Sequence, residues 1–243
     1  MKIVIINYGA GNIQSIKFAF KRLGYDALLS DDVDEILQAD RVIFPGVGEA
    51  SSAMKKLRQS GLDKMIPNLK QPVLGICLGM QLMCKSSEEG PTTGLGIFDV
   101  DVKRFSNQVD APLTMIKEGG SSSVDTKMID VRTASRSVGT ALQEDTSSGV
   151  ASKLLGTSLK IPQIGWNQIA RLKSPLFKEI DENEYIYLVH SYYAPVCEAT
   201  IAESEYGIPY SAALARDNFY GTQFHPEKSS EVGVRILKNF LQL

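Results

Sequence analysis

The residues Val73-Leu74-Gly75-Ile76 form an apolar run that stops at Cys77, and Leu78-Gly79-Met80-Gln81-Leu82-Met83-Cys84 continues with the composition of a helix. A strand that runs into a helix through a glycine-flanked residue must turn sharply, as in a nucleophile elbow. Gly75 and Gly79 are read as letting that turn close. Such an elbow holds its thiol above a sheet edge, where the following helix N-terminus favours thiolate and backbone N–H groups can cradle an oxyanion.

The flanking sequence repeats the same grammar. Short β-branched runs at 2–7, 41–44 and 73–77 alternate with helical patterns at 13–23 and 50–60, the signature of βαβ units and a parallel sheet. Further strands are expected at 97–102, as a more exposed alternating strand, and at 165–169, 185–190, 199–202 and 220–224, with a closing amphipathic helix at 231–241. This order predicts an α/β fold: an open, doubly wound, mostly parallel central sheet flanked by helices. The 243 residues, 43% of them hydrophobic, suffice for one sizeable core, so a single domain spanning 1–243 is expected.

One region departs from this pattern. From 119 to 158, 19 of 40 residues are Gly, Ser or Thr, and no aromatic residue occurs between Phe105 and Trp166. That composition buries too little apolar surface to offset ordering entropy. Residues 107–158 therefore read as a mobile insertion, with short helical turns conceivable at 137–142 and 150–155.

Charge excludes some partners. With 26 basic and 28 acidic side chains there is no electrostatic footprint for nucleic acid. The N-terminal apolar run is short and lacks a cleavage pattern, and no segment is long enough to span a bilayer, so a cytoplasmic protein without membrane contact is expected. Three cysteines without paired ligand spacing argue against a disulfide framework or a metal site, and no cofactor is expected.

Cys84 and Cys197 fit the ordinary reading of cysteine as a small buried hydrophobe, whereas Cys77, turned out by glycines, fits a nucleophile. Of the two histidines, His190 ends an apolar strand and reads as a core or rim residue. His225, in Gln223-Phe224-His225-Pro226-Glu227, is followed two residues on by a carboxylate, and extended alternation would put both on one side of the chain. His225 is thus the better base and Glu227 the group that fixes its tautomer. Pro45-Gly46-Val47-Gly48 ends a strand in a glycine-rich turn, and an N–H from it, with that of Leu78, would complete a two-donor oxyanion hole. Gly9-Ala10-Gly11-Asn12 lacks the spacing of a dinucleotide fingerprint, and that reading is rejected.

Taken with Asn7-Tyr8-Gly9-Ala10-Gly11-Asn12, Gly165-Trp166-Asn167 and His190-Ser191-Tyr192, these motifs resemble the class I (triad) glutamine amidotransferases, and within them the glutaminase subunits of imidazole glycerol phosphate synthases. The resemblance implies a flavodoxin-like fold and hydrolysis of glutamine by a Cys77, His225, Glu227 triad. It also implies an oxyanion strand at Gly46, Val47 and Gly48, and glutamine contacts from Gln81, Glu89, Ser191 and Tyr192. The implied partner is a (β/α)8 cyclase subunit in a heterodimer, which uses the ammonia in histidine biosynthesis, with Asn12, Trp166, Asn167 and Lys228 at or near the interface. Gln163 stands where the family usually has histidine. Two other readings stay open: a catalytically silent interaction module of the same fold, and the glutaminase of another amidotransferase, against which Gly-Trp-Asn and Pro-Gly-Val-Gly argue.

Overall fold

A computed structural model describes residues 1–107 and 159–243. The Gly/Ser/Thr-rich stretch 119–158, the short helical turns considered at 137–142 and 150–155, and the insertion 107–158 apart from Asn107 lie outside the described residues.

In chain order the elements are β1 (Ile3–Ile6), α1 (Ile13–Arg22), β2 (Ala27–Ser30), α2 (Val33–Leu37), β3 (Arg41–Gly46), α3 (Ala50–Ser60), α4 (Leu62–Met65), β4 (Val73–Cys77), α5 (Leu78–Met83), β5 (Cys84–Ser87), β6 (Thr92–Thr93), β7 (Phe98–Arg104), β8 (Gln163–Gln168), β9 (Tyr185–His190), β10 (Tyr192–Tyr193), β11 (Thr200–Glu205), β12 (Pro209–Arg216), β13 (Phe219–Thr222) and α6 (Ser230–Gln242). The central sheet has seven strands in the order β11-β12-β13-β4-β3-β1-β2. From β13 to β2 every pairing is parallel, while β11, β12 and β13 pair antiparallel. A four-stranded sheet, β10-β7-β5-β6, and the hairpin β8-β9 complete the architecture.

Two apolar layers sandwich the central sheet, as period-two side-chain direction requires. Val4 and Ile6 of β1 join the core with α3, α5 and the four-stranded sheet, while Ile3 and Ile5 join the core with α1, α6 and β9. The helices follow from their apolar spacing. Ile16, Ala19 and Phe20 bury one stripe of α1, and Ala50, Ala53, Met54 and Leu57 one stripe of α3. Burying a side chain such as Phe20 contributes roughly 1.5–3 kcal/mol. Gly61, at φ 73, ends α3 in a left-handed cap that costs glycine little.

The strand at 97–102 is observed as β7 with the expected alternation: Phe98, Val100 and Val102 face the core while Asp99 and Asp101 face out. Cys84 opens β5 rather than extending α5. Strand β12 and the edge pair β2-α2 were not anticipated. Tyr210-Ser211-Ala212-Ala213-Leu214 is fully buried but Ala-rich, so it carries little strand propensity.

Topology positions one end of the sheet for chemistry. Strand β4 lies between β3 and β13, with Gly46 registered on Cys77 and Thr222 on Ile76. Cys77, the turn after Gly46, and the segment after Thr222 therefore emerge together at the carboxyl edge, where open α/β sheets bind ligands.

Candidate active site

Cys77 carries the strain of the elbow itself. Its backbone lies at φ 53, ψ −110, a region that costs a non-glycine residue about 1–3 kcal/mol. The flanking glycines let the turn close, as expected, and they do so by permitting close approach, since neither adopts positive φ. A Cβ on Gly79 would sit 1.9 Å from the Phe44 carbonyl oxygen, and one on Gly46 would sit 2.6 Å from the Gly79 nitrogen. Strand β3 can therefore lie directly against the elbow. Its exit, Val47 and Gly48 (φ 96), lines a cavity of about 340 Å³ together with Cys77 and Leu78. Behind it, the buried Tyr8 hydroxyl donates to the Pro45 carbonyl at 2.7 Å and pins the peptide that precedes Gly46. Burial, reinforced by the charge on Cys77, pushes the Tyr8 phenol well above its usual range, so it stays a donor.

His225 and Glu227 meet by a different route from extended alternation. Pro226–Lys228 is a 3-10 turn, with Pro226 supplying the fixed φ that starts it, and the turn brings Glu227 Oε1 back to 2.9 Å from His225 Nδ1. The backbone clamps this turn: His225 N–H donates to the Tyr187 carbonyl at 3.0 Å, and the Ser229 hydroxyl donates to the His225 carbonyl at 2.7 Å. Both side chains are buried. Burial alone would lower the histidine pKa, but hydrogen bonds to Cys77 and Glu227, together with their negative charges, outweigh it and raise it to about 10. An imidazolium held between sulfur and carboxylate is the state this geometry favours.

Glu227 Oε1 has a second donor, Asn12 Nδ2 at 2.6 Å. Asn12, expected at a partner face, thus reaches the carboxylate that orients His225. Its neighbour Gly11 abuts Val47, where a Cβ would lie 2.8 Å from Val47 Cγ2. One loop therefore touches both the turn after β3 and the His225–Glu227 pair.

The expected glutamine contacts line the same cavity: Gln81, Glu89, Ser191 and Tyr192. Glu89 Oε2 accepts from the Ala50 N–H at 2.9 Å, at the start of α3, and burial raises its pKa against that bond. The Ser191 carbonyl accepts from Phe105 N–H, and the Tyr192 carbonyl from Gln81 Nε2 at 3.0 Å and His190 Nδ1 at 2.7 Å, so both carbonyls are engaged.

Of the remaining residues expected near a partner, Lys228 lines the cavity and Trp166 reaches it through Tyr187. Trp166, 53% exposed, packs edge-on against Tyr187 with ring centroids 5.8 Å apart, and the Lys228 ammonium lies 5.9 Å from the same Tyr187 ring. Asn167 points elsewhere, donating to the Glu205 carbonyl at 2.8 Å. Gln163, the departure from the usual histidine, is buried and accepts from the Tyr210 hydroxyl at 3.0 Å.

His190 also lines the cavity, but burial lowers its pKa to about 4 despite the Tyr192 carbonyl, and the His225 charge adds to the lowering. It is neutral where His225 is charged. Burial pushes the Cys84 thiol up, as for a core thiol. Tyr8 and Gln223 are the site residues that reading the sequence left unassigned, although both stand inside motifs quoted for it. Among the described residues no group of His, Cys, Asp and Glu could hold a metal ion, and no helix is long and apolar enough to cross a membrane.

Residues 4–243 match the family model described as glutamine amidotransferase class-I. A curated relative from Bacteroides fragilis (strain YCH46), "Imidazole glycerol phosphate synthase subunit HisH", is 47% identical over 243 residues, covering 100% of each chain. A relative of the same name from Shewanella loihica is 40% identical over 240 residues, covering 99% of this chain and 90% of its own. Among solved structures, a putative GMP synthase protein from Thermoplasma acidophilum superposes with a TM-score of 0.63 at 17% identity, covering 100% of this chain and 92% of its own. That likeness is one of fold.

Proposed function

From the premise that this chain belongs to the class-I glutamine amidotransferases, we propose that it is the glutaminase subunit of an imidazole glycerol phosphate synthase, releasing ammonia from glutamine for histidine biosynthesis. The full-length relatives carry the word subunit in their name, so a second subunit belongs to this reading. We assign that partner as a (β/α)8 cyclase in a heterodimer, with Lys228 at the cavity and Trp166 on the far side of Tyr187 as its contacts. Chain 1–243 is taken as one domain into which 107–158 is inserted.

The observation that carries the chemistry is the strained Cys77 sharing one cavity with His225, which is itself paired to Glu227. The Cys77 thiolate attacks the carboxamide carbon of glutamine, and the oxygen that gains charge faces backbone N–H groups of the Gly46–Gly48 turn and Leu78. As the tetrahedral adduct collapses, His225 gives its Nε2 proton to the departing nitrogen, and ammonia leaves. Water then attacks the glutamyl thioester while His225 takes up its proton. The second collapse releases glutamate and returns the thiolate. Glu227 keeps Nδ1 protonated throughout, so Nε2 remains the atom that exchanges protons.

A diazoketone analogue of glutamine tests the assignment. It should add one equivalent at Cys77 by peptide mass, with excess glutamine protecting. Addition at Cys84 or Cys197, or none at all, would contradict it.

A further inference from the structure

Gln223 is fully buried and belongs to none of the roles assigned above. Its side-chain amide joins a chain of hydrogen bonds whose polarity can be fixed without seeing a hydrogen. The chain starts at the Tyr192 backbone carbonyl, which can only accept. The Gln81 side-chain atom 3.0 Å from it must therefore be the amide nitrogen. The same nitrogen lies 2.9 Å from one Gln223 side-chain atom, which must then be the oxygen. Gln223 is thereby compelled to turn its own N–H group toward Cys77, with Nε2 3.8 Å from Sγ. On another side of the sulfur stands the Val189 carbonyl, also at 3.8 Å, which can pair only with S–H.

We propose that Gln223 is a positioning residue for the nucleophile: a donor that holds the Cys77 sulfur as thiolate against the pull of the Val189 carbonyl, with its orientation set through Gln81 by the Tyr192 peptide. The relay has a second consequence. Gln81 spends both its N–H groups on Tyr192 and Gln223, so Oε1 is the polar atom it has left for the cavity. It is an acceptor suited to the N–H groups of glutamine rather than to its oxygens. The substrate part of this inference rests on the glutaminase reading; the part concerning sulfur does not.

The test follows alkylation of Cys77 by iodoacetamide, read by peptide mass with Cys84 and Cys197 as internal references, alongside glutamate release in the partner complex. Gln223→Met removes the donor at nearly constant volume. It should slow alkylation about tenfold and lower kcat comparably, the scale of a hydrogen bond to a charged group. Gln81→Met leaves Gln223 intact but unanchored, so alkylation should still slow, by about threefold or more, while KM for glutamine rises. In the double variant the alkylation losses should fail to add, because both act through one donor. Alkylation by folded Gln223→Met within about twofold of the parent would overturn the proposal. If that variant does not fold, unchanged alkylation in Gln81→Met overturns the relay by itself. Should the parent complex release no glutamate, the glutaminase reading fails while the alkylation comparison still decides the role of Gln223.

Discussion

Asn12 and Glu227, separated by 215 positions, share a 2.6 Å hydrogen bond on the oxygen that also holds His225. The donor sits in left-handed backbone at φ 64, just ahead of α1. Asn12→Ala removes one of two donors and should lower the glutaminase rate about tenfold. Asn12→Asp should lower it further, since two carboxylates that close must share a proton and the second charge competes for His225. Rates of glutamate release in the partner complex, with thermal unfolding as a control, check the order. Equal activity in Asn12→Asp and the parent would count against it.

The positive φ of Cys77 stores strain that glycine would release. Cys77→Gly should therefore be more stable than Cys77→Ala by about 1 kcal/mol, with a higher unfolding temperature, though both are inactive. Differential scanning calorimetry of the pair, both lacking the sulfur, isolates the backbone contribution. Equal stabilities would mean that the elbow is unstrained.

His190 gives a pH signature of opposite sign to that of His225. Its pKa falls from 6.5 to about 4 on folding, with the Phe105 and Tyr210 rings, the Tyr192 carbonyl and the charged His225 around it. The unfolded chain binds the proton more readily, so this contribution to stability is present above pH 6.5 and is lost as pH falls through about 4. His190→Asn, which cannot charge, should flatten the decline of Tm across that window by an amount worth a few kcal/mol at most. Parallel curves for parent and variant would remove His190 as the cause.

At the edges of the described chain, Leu159 N–H donates to the Asn107 carbonyl at 3.2 Å, and the Tyr206 hydroxyl donates to the Lys160 carbonyl at 2.6 Å. The two ends already touch, so replacing 108–158 by a short Gly/Ser linker closes a small loop at little entropic cost. The shortened chain should unfold in one cooperative transition, within about 2 kcal/mol of the parent. Loss of cooperativity would show that the replaced residues belong to the core.

Where periodicity was strong, the sequence defined elements to the residue: α3 at 50–60 and β4 at 73–77 are observed at the expected bounds. It failed where burial rather than propensity makes a strand, as in the Ala-rich β12. In the site, the sequence brought His225 and Glu227 together by alternation, whereas Pro226 turns the chain so that they meet across a 3-10 turn. The polarity of Gln223 was illegible because it depends on a carbonyl, that of Tyr192, which only the folded chain brings into reach of Gln81. Asn12 was read only as a residue near a partner; its bond to Glu227 was unreadable in the same way, because the two stand at opposite ends of the chain.

The most direct measurement is glutamate release by the parent and by Cys77→Ser, each alone and with a (β/α)8 cyclase plus its ribonucleotide substrate. The parent should gain a large increase on addition of both. Cys77→Ser should release none, yet bind the partner and leave ammonia-driven cyclisation unchanged. A parent chain that binds the cyclase without any increase, or a Cys77→Ser chain that still releases glutamate, would contradict a partner-coupled glutaminase acting through this sulfur.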